Sequence, residues 1–242
     1  LPERRLDVSR DVDFYGAERM VRINQLPLGL DDLQMIVPHY VQLILIPKCE
    51  TKQQVLEVEK TIREIQEKAG HNRAIYLMPI IESCLGVENA FEIAGCSDQV
   101  VAMAIGLEDL TADLGVSRTA QGTESLYARM RIINACKAAG IQAIDSVYSD
   151  VSNMEGLLEN VKQSKALGFE GMGCIHPRQI SVIHEGFSPG SEEIGKAEKI
   201  VHAYHEAKKK GLGVVALGSK MIDAPVVKQA IRVIELAGKR YE

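Results

Sequence analysis

Short runs of apolar, β-branched residues recur six times along this chain, each followed by a longer segment with helical periodicity. The runs are Val21–Asn24, Leu43–Pro47, Tyr76–Ile81, Val100–Ile105, Gln142–Val147 and Gly171–His176. Most are apolar at both odd and even positions, the pattern of parallel strands covered on two sides. The segments between them carry helical stripes. Thr51 can cap a helix with Val55, Val58, Ile62 and Ile65 on its inner face, stopped by Gly70. Met130, Ile133, Ala135 and Ala138 precede the stop Gly140, and Val161, Ala166 and Leu167 precede Gly168. This alternation predicts an α/β protein on one parallel sheet, either a closed barrel or an open doubly wound sheet. No GxGxxG or P-loop follows any of the six runs, which argues against an open nucleotide-binding sheet.

Polar residues stand at the C-terminal ends of successive strands: Arg22, Asn24, Lys48, Glu82, Asp109, Asp145 and His176. A (β/α)8 TIM barrel builds its active site at that rim, and the expected fold is such a barrel. The chain supplies six strand patterns where a closed barrel needs eight, and Leu1–Arg19 holds no clear pair to complete the ring. The expectation is that two strands precede Leu1 or that the barrel is incomplete. After the sixth run come a long helix, Ser191–Lys210, a Gly-bounded apolar stretch, Gly211–Gly218, then Met221–Asp223 and a last helix from Val226 to about Leu236. One domain is expected over residues 1–242, with 190–242 as a C-terminal helical extension too short to bury a core alone.

A net charge of −5 with no basic stripe argues against a nucleic-acid partner, and the Lys208–Gly211 run reads as a cationic helix end. No apolar run approaches the roughly 20 residues of a membrane helix. The five cysteines, Cys49, Cys84, Cys96, Cys136 and Cys174, form no CxxC pair, which suits reduced thiols and a cytoplasmic location. Cys84 and Cys174 lie near strand ends, where a pocket position and a small buried hydrophobe are the two readings.

Glu82 ends one strand and Asp109 follows the next, so neighbouring parallel strands bring two carboxylates to one rim. Carboxylates without a His or Cys cluster suit Mg²⁺, or Mn²⁺, better than Zn²⁺. Spacing alone leaves a second reading open, in which each acid caps the helix that follows it.

Longer motifs carry more. PIIESCLGVENAFEIA, VVAMAIGLEDLTADLG, IQAIDSVYSDVSNMEGL, GFEGMGCIHPRQI and GSKMIDAPVVKQA follow in that order, with MVRIN and LIPKCE before them. From about Met20 to Ile234 the chain resembles the citrate lyase β-subunit-like branch of the HpcH/HpaI aldolases. The resemblance implies a (β/α)8 barrel, usually a homotrimer, and a Mg²⁺-dependent carbon–carbon lyase. Its substrates would be an oxo acid and an acyl-CoA thioester, joined or parted through an enolate. It implies that Glu82 and Asp109 ligate the metal and that Arg22 holds the substrate carboxylate. Backbone amides at Gly106, Leu107, Glu108 and Asp109 would help anchor it, and Asp223 would be a catalytic acid/base delivered from a neighbouring subunit. The chain departs from the family at its start, where the first two family strands, one with an Arg and one ending in D-x-E-D, have no counterpart.

The chemistry asks for these parts. Mg²⁺ polarises a keto oxygen, an Arg fork orients a carboxylate through two hydrogen bonds, and a carboxylic acid moves the proton at carbon. For Lys48, a salt bridge to a rim carboxylate and a substrate contact fit equally, and Asp145 reads as a hydrogen-bond partner behind the site. His176, before Pro177, reads as a turn residue. His184, His202 and His205 read as surface or packing residues, and Arg129 and Arg131 as solvated helix residues. Two other functions fit the same residues: a class II aldolase acting on a free pyruvate-derived hydroxy acid, or a degenerate, non-catalytic homologue.

Overall fold

The computed structural model describes residues 13–209, 215–217 and 220–238. Residues 1–12, the Lys210–Gly211 end of the basic run with the rest of 210–214, and Gly218 and Ser219 lie outside the described residues, and so do the expectations that fall on them. The chain divides into two compact units between Ile180 and Ser181.

The first unit is built on six parallel strands that pair side by side in chain order. They are β1 (Met20–Arg22), β2 (Leu43–Ile46), β3 (Tyr76–Ile81), β4 (Ala102–Ile105), β5 (Gln142–Asp145) and β6 (Gly171–Met172). The sheet curls as a half-barrel. A parallel pair needs a crossover, and helices supply it at every step. These are α1 (Leu28–Ile36), α2 (Lys52–Ala69), the short α3 (Cys84–Glu88) and α4 (Ala90–Ala94), α5 (Leu107–Leu114), α6 (Leu126–Ala139) and α7 (Met154–Leu167).

The register pairs Val21 with Ile44, Ile44 with Leu77, Ile80 with Ala104 and Met103 with Ala143. Because side chains alternate, the strands present two apolar faces. Leu43, Met78, Ala102 and Ala104 cluster on one, with Leu45, Ile80 and Ile144 against them. The alternate set, Ile44, Ile46, Leu77, Ile81, Met103 and Ala143, is fully buried. Gly70 and Gly140 end α2 and α6 in the left-handed conformation, with φ of 69° and 74°. The Gln54 side chain folds back to accept from the Thr51 N–H at 3.0 Å, fixing the start of α2.

A helix, α8 (Arg178–Phe187), crosses the division between the units. The second unit then holds α9 (Ser191–Lys209), an antiparallel hairpin of β7 (Val215–Leu217) and β8 (Lys220–Ile222), and α10 (Ala224–Leu236). Ala197, Val201, Ile222, Val227, Ala230 and Ile234 form a buried apolar cluster within it. No helix among the described residues is long and apolar enough to cross a membrane.

Several local expectations are corrected. The sixth strand stops at Met172 instead of His176, because the Ile175 N–H is taken by the Gln179 side chain at 3.0 Å, and the chain turns there. His176 fits that turn: its Nδ1 accepts from the Arg178 N–H at 3.1 Å. Cys174 is exposed, whereas Cys49 and Cys136 are buried and burial pushes each thiol up to about 12. On α7 the buried stripe is Leu157, Val161 and Ser164, with Ala166 exposed. On α6 the buried face is Ala128, Arg129, Ile132, Ile133, Ala135 and Cys136, which leaves Met130 and Ala138 outside it.

That rotation buries Arg129, which the sequence placed in solvent. It is 5% exposed, and its guanidinium donates to Asp145 Oδ2 and to Ser164 Oγ (3.2 Å) while lying 5.4 Å over the Phe169 ring. Arg131 is half-buried and donates to the Glu88 carbonyl at 3.0 Å. Removing one partner of a buried ion pair strands the other charge in a poor solvent. Arg129→Met should therefore destabilise the protein by about 3–5 kcal/mol. Urea unfolding measures it, and a loss below about 1 kcal/mol would show that the pair is effectively solvated.

Candidate active site

Four charged side chains meet where β1 to β4 end. Arg22 is the last residue of β1, Lys48 follows β2, Glu82 follows β3, and Asp109 lies in the first turn of α5, after β4. Parallel pairing in chain order forces this meeting, since every strand ends at the same edge.

Glu82 is the buried member, 8% exposed. Its Oε1 lies 3.9 Å from Arg22 Nη2, and its Oε2 is buried with no hydrogen-bond partner. Burial pushes its carboxyl above the usual carboxylate range, helped by the charge of Asp109. The Arg22 guanidinium, with the backbone N–H and ammonium of Lys48, pulls it back. Asp109 is half-exposed, and Lys48 Nζ donates to its Oδ1 at 3.0 Å. That hydrogen bond and the charge of Asp109 raise the Lys48 ammonium above its ordinary range. Lys48 holds a left-handed backbone, φ 48°, a conformation that a residue with a side chain adopts at some cost and that clusters at functional sites.

The backbone is fitted closely around Glu82. A Cβ at Gly106 would stand 2.7 Å from Glu82 Cγ and 2.9 Å from Oε1, so a side chain there would push Glu82 out of this position. Behind it, Ser83 accepts from the Gly86 N–H at 3.2 Å, and Asp113 accepts from the Cys84 N–H at 2.7 Å. These bonds hold the turn after β3.

Gly106 is also the N-cap of α5, with no side chain to cap the helix. The Leu107 N–H instead donates to Ser146 Oγ at 3.1 Å. No protein acceptor takes the N–H of Glu108 or Asp109 among the described residues, so the first turn keeps two free donors. The Glu108 side chain is committed elsewhere, accepting from Arg118 Nη1 at 2.7 Å. Whatever Glu108 offers the site is its backbone.

Arg22, Glu82, Glu108 and Asp109 come together at this rim, and Lys48 joins them as a salt bridge. The expected anchoring amides are corrected at two positions: the Gly106 N–H donates to the Ile81 carbonyl at 2.9 Å and the Leu107 N–H to Ser146, so only those of Glu108 and Asp109 stay open. Asn24 does not stand free: its backbone N–H and Nδ2 both donate to Asp32 Oδ2, at 2.7 and 2.9 Å. Asp145 sits behind the rim, paired to Arg129. Asp223 lies in the second unit as the N-cap of α10, accepting from the Val226 N–H at 3.3 Å. Ser146 and Arg118 were missed in the sequence. Ser146 directly follows the strand-end Asp145, and that position was its only signal.

The residues fit a small hard cation. Glu82 brings a buried carboxylate oxygen with no partner, and Asp109 brings a second carboxylate. Among the described residues no third acid, His or Cys gathers with them into a cage. Mg²⁺ takes such a set, one or two carboxylates with the remaining positions left to water and substrate oxygens.

Comparison with known proteins shows the family. The family model described as HpcH/HpaI aldolase/citrate lyase matches residues 5–177. The chain is 40% identical to the citrate lyase subunit beta of Escherichia coli (strain K12) over 235 residues, covering 95% of this chain and 78% of that protein. It is 32% identical to the mitochondrial citramalyl-CoA lyase of Homo sapiens, covering 94% of this chain and 70% of that protein. Its structure resembles that of protein CitE from Mycobacterium tuberculosis in complex with magnesium, acetoacetate and coenzyme A. That match has a TM-score of 0.79 and 27% identity, over 98% of this chain and 83% of that chain.

The raised Glu82 carboxyl has a consequence for metal-free protein. A folded chain that holds this proton more tightly than the unfolded chain has the stability contribution in full below the ordinary carboxylate pKa. The contribution is lost as pH rises through the raised value. In chelator, Glu82→Gln, neutral throughout, should be more stable than the unchanged chain near pH 8 and about equal to it near pH 4. Urea unfolding at both pH values checks this, and the same difference at the two would rule out a desolvated carboxylate as its cause.

Proposed function

Because the chain belongs to the HpcH/HpaI aldolase/citrate lyase family, we propose that it is a Mg²⁺-dependent carbon–carbon lyase that cleaves or forms a 3-hydroxyacyl-CoA thioester of the citryl, malyl or citramalyl type. The observation that carries the metal is Glu82 Oε2, buried without a partner beside Asp109. The CoA thioester rests on the relatives, one a citramalyl-CoA lyase and one a structure holding coenzyme A. In the same reading the six strands belong to an eight-stranded barrel, the enzyme is a cytoplasmic homotrimer, and Mn²⁺ can replace Mg²⁺.

Glu82 and Asp109 would hold the ion, which when bound supplies a Lewis acid for the keto or hydroxyl oxygen of the substrate. Every other part of the work falls to the chain. Arg22, 3.9 Å from Glu82, presents a planar fork to the oxo-acid carboxylate and fixes its direction. The free N–H groups of Glu108 and Asp109 take oxygen atoms of the same fragment at the positive end of α5. Lys48 keeps the Asp109 carboxylate aimed at the rim and offsets part of the local negative charge. In the cleavage direction water takes the hydroxyl proton, the electron pair left on oxygen forms the carbonyl of the keto acid as the carbon–carbon bond breaks, and the electrons of that bond leave on the acyl fragment as a thioester enolate. Asp223, from a neighbouring protomer, would deliver the proton to the enolate carbon.

Assay of citryl-, malyl- and citramalyl-CoA against the corresponding free acids tests the substrate class. Thioester cleavage supports the lyase, and turnover of the free acids alone points to an aldolase without CoA. Asp109→Ala should lower metal-stimulated turnover by roughly 10²-fold or more with little change in melting. Full metal-stimulated turnover in that variant would remove Asp109 from the ligand set.

Asp223 caps α10, and loss of a cap costs about 1 kcal/mol while leaving turnover nearly intact. If Asp223 is also an acid/base, its loss lowers turnover by roughly 10²–10⁴-fold in addition to that cost, so turnover and not melting separates the two roles. Mixing Asp223→Ala chains with Asp109→Ala chains should recover activity, since some interfaces then hold both intact residues. No recovery after demonstrated subunit exchange would place Asp223 outside a shared site.

A further inference from the structure

Gly106 leaves α5 without a capping side chain, and the crowding that requires glycine there also forbids the usual remedy. Ser, Thr, Asp and Asn, the residues that cap helices, all carry a Cβ, and a Cβ at position 106 would stand 2.7 Å from Glu82 Cγ. The helix is nonetheless capped, from a different strand. Ser146, the residue after β5, is 5% exposed, and its Oγ accepts the Leu107 N–H at 3.1 Å. Its own position is fixed in turn, because the Ser146 N–H donates to Asp145 Oδ1 at 2.8 Å. The other oxygen of Asp145 is held by Arg129 and by the Ser164 hydroxyl at 2.5 Å.

We propose, on the strength of the lyase assignment above, that Ser146 is a positioning residue that caps α5 from the neighbouring strand and so aims the free N–H groups of Glu108 and Asp109 at the substrate. An ordinary N-cap side chain takes the N–H of the second or third helical residue. Ser146 takes the first, Leu107, and leaves the second and third open. The metal-ligand position and the anion-binding turn therefore share one support: Glu82 demands glycine, glycine removes the local cap, and Ser146 replaces it without consuming the donors the substrate needs. The buried Arg129–Asp145 pair acts at one remove, through the Ser146 backbone.

The test uses full-length protein with Mg²⁺ present, comparing Ser146→Ala, Ser146→Thr and the unchanged chain. Hydrogen exchange at the Leu107 amide reports the cap directly. Steady-state kinetics in the condensing direction, starting from the acyl-CoA and oxo acid that the unchanged chain releases from its thioester, reports KM for the oxo acid. Ser146→Ala should exchange Leu107 at least about 10-fold faster and raise KM for the oxo acid by roughly 10-fold, while melting falls by only a few degrees. Ser146→Thr, which keeps the hydroxyl, should lie within about threefold of the unchanged chain on both readouts. Unchanged Leu107 exchange and unchanged KM in a folded Ser146→Ala protein would overturn the proposal, as would a drop in melting with no change in KM. Should Ser146→Ala not fold, Ser146→Cys, whose sulfur is a weak acceptor in the same place, is judged by the same two readouts. If the unchanged chain cleaves no thioester, the lyase assignment fails on its own, and Leu107 exchange alone then decides the capping role.

Discussion

The side chain of Glu82 lies so close to the backbone at position 106 that any Cβ there would displace it, and much of the rim is arranged around that contact. Bringing a carboxylate into a half-dry site raises its energy unless something is gained when it acts. Here one oxygen faces Arg22 across 3.9 Å and the other has no partner. A protein that needed only a stable fold would place a neutral side chain at this point. Binding sites are where such local conflicts are tolerated, because the ligand resolves them.

The neighbouring charges fall into two kinds. Arg22 and Glu82 stand 3.9 Å apart, beyond hydrogen-bond distance, with the cation exposed. Lys48 and Asp109 are in direct hydrogen-bond contact at 3.0 Å, half in solvent, where an ion pair contributes little to stability. It fixes the direction of the Asp109 carboxylate, and Lys48 holds a left-handed backbone just after β2. Behind this layer, the buried Arg129–Asp145 pair is rigid and fully enclosed. It gives the ends of β4 and β5 a fixed reference on which the Ser146 to Leu107 contact rests. The site thus passes from a stiff buried base to a wet, adjustable rim.

Much of this was legible in the chain itself. Alternation of apolar strands with amphipathic helices determined a parallel α/β sheet, and Gly70, Gly140 and Gly168 marked three helix ends because a left-handed stop favours glycine. Consecutive strands in a parallel sheet end on one side, so Arg22, Lys48, Glu82 and Asp109 had to share a rim once the strands were placed. Local periodicity and strand order are properties of neighbouring residues, and a sequence displays them directly. Tertiary structure alone decided which face of α6 turned inward, and with it that Arg129 would meet Asp145. It also decided that Lys48 would bond to Asp109 and that Gly106 would sit beneath Glu82. Ser146 caps a helix that begins 39 residues earlier in the chain. Such contacts depend on sheet register and on a few tenths of an ångström of clearance, which no local pattern encodes.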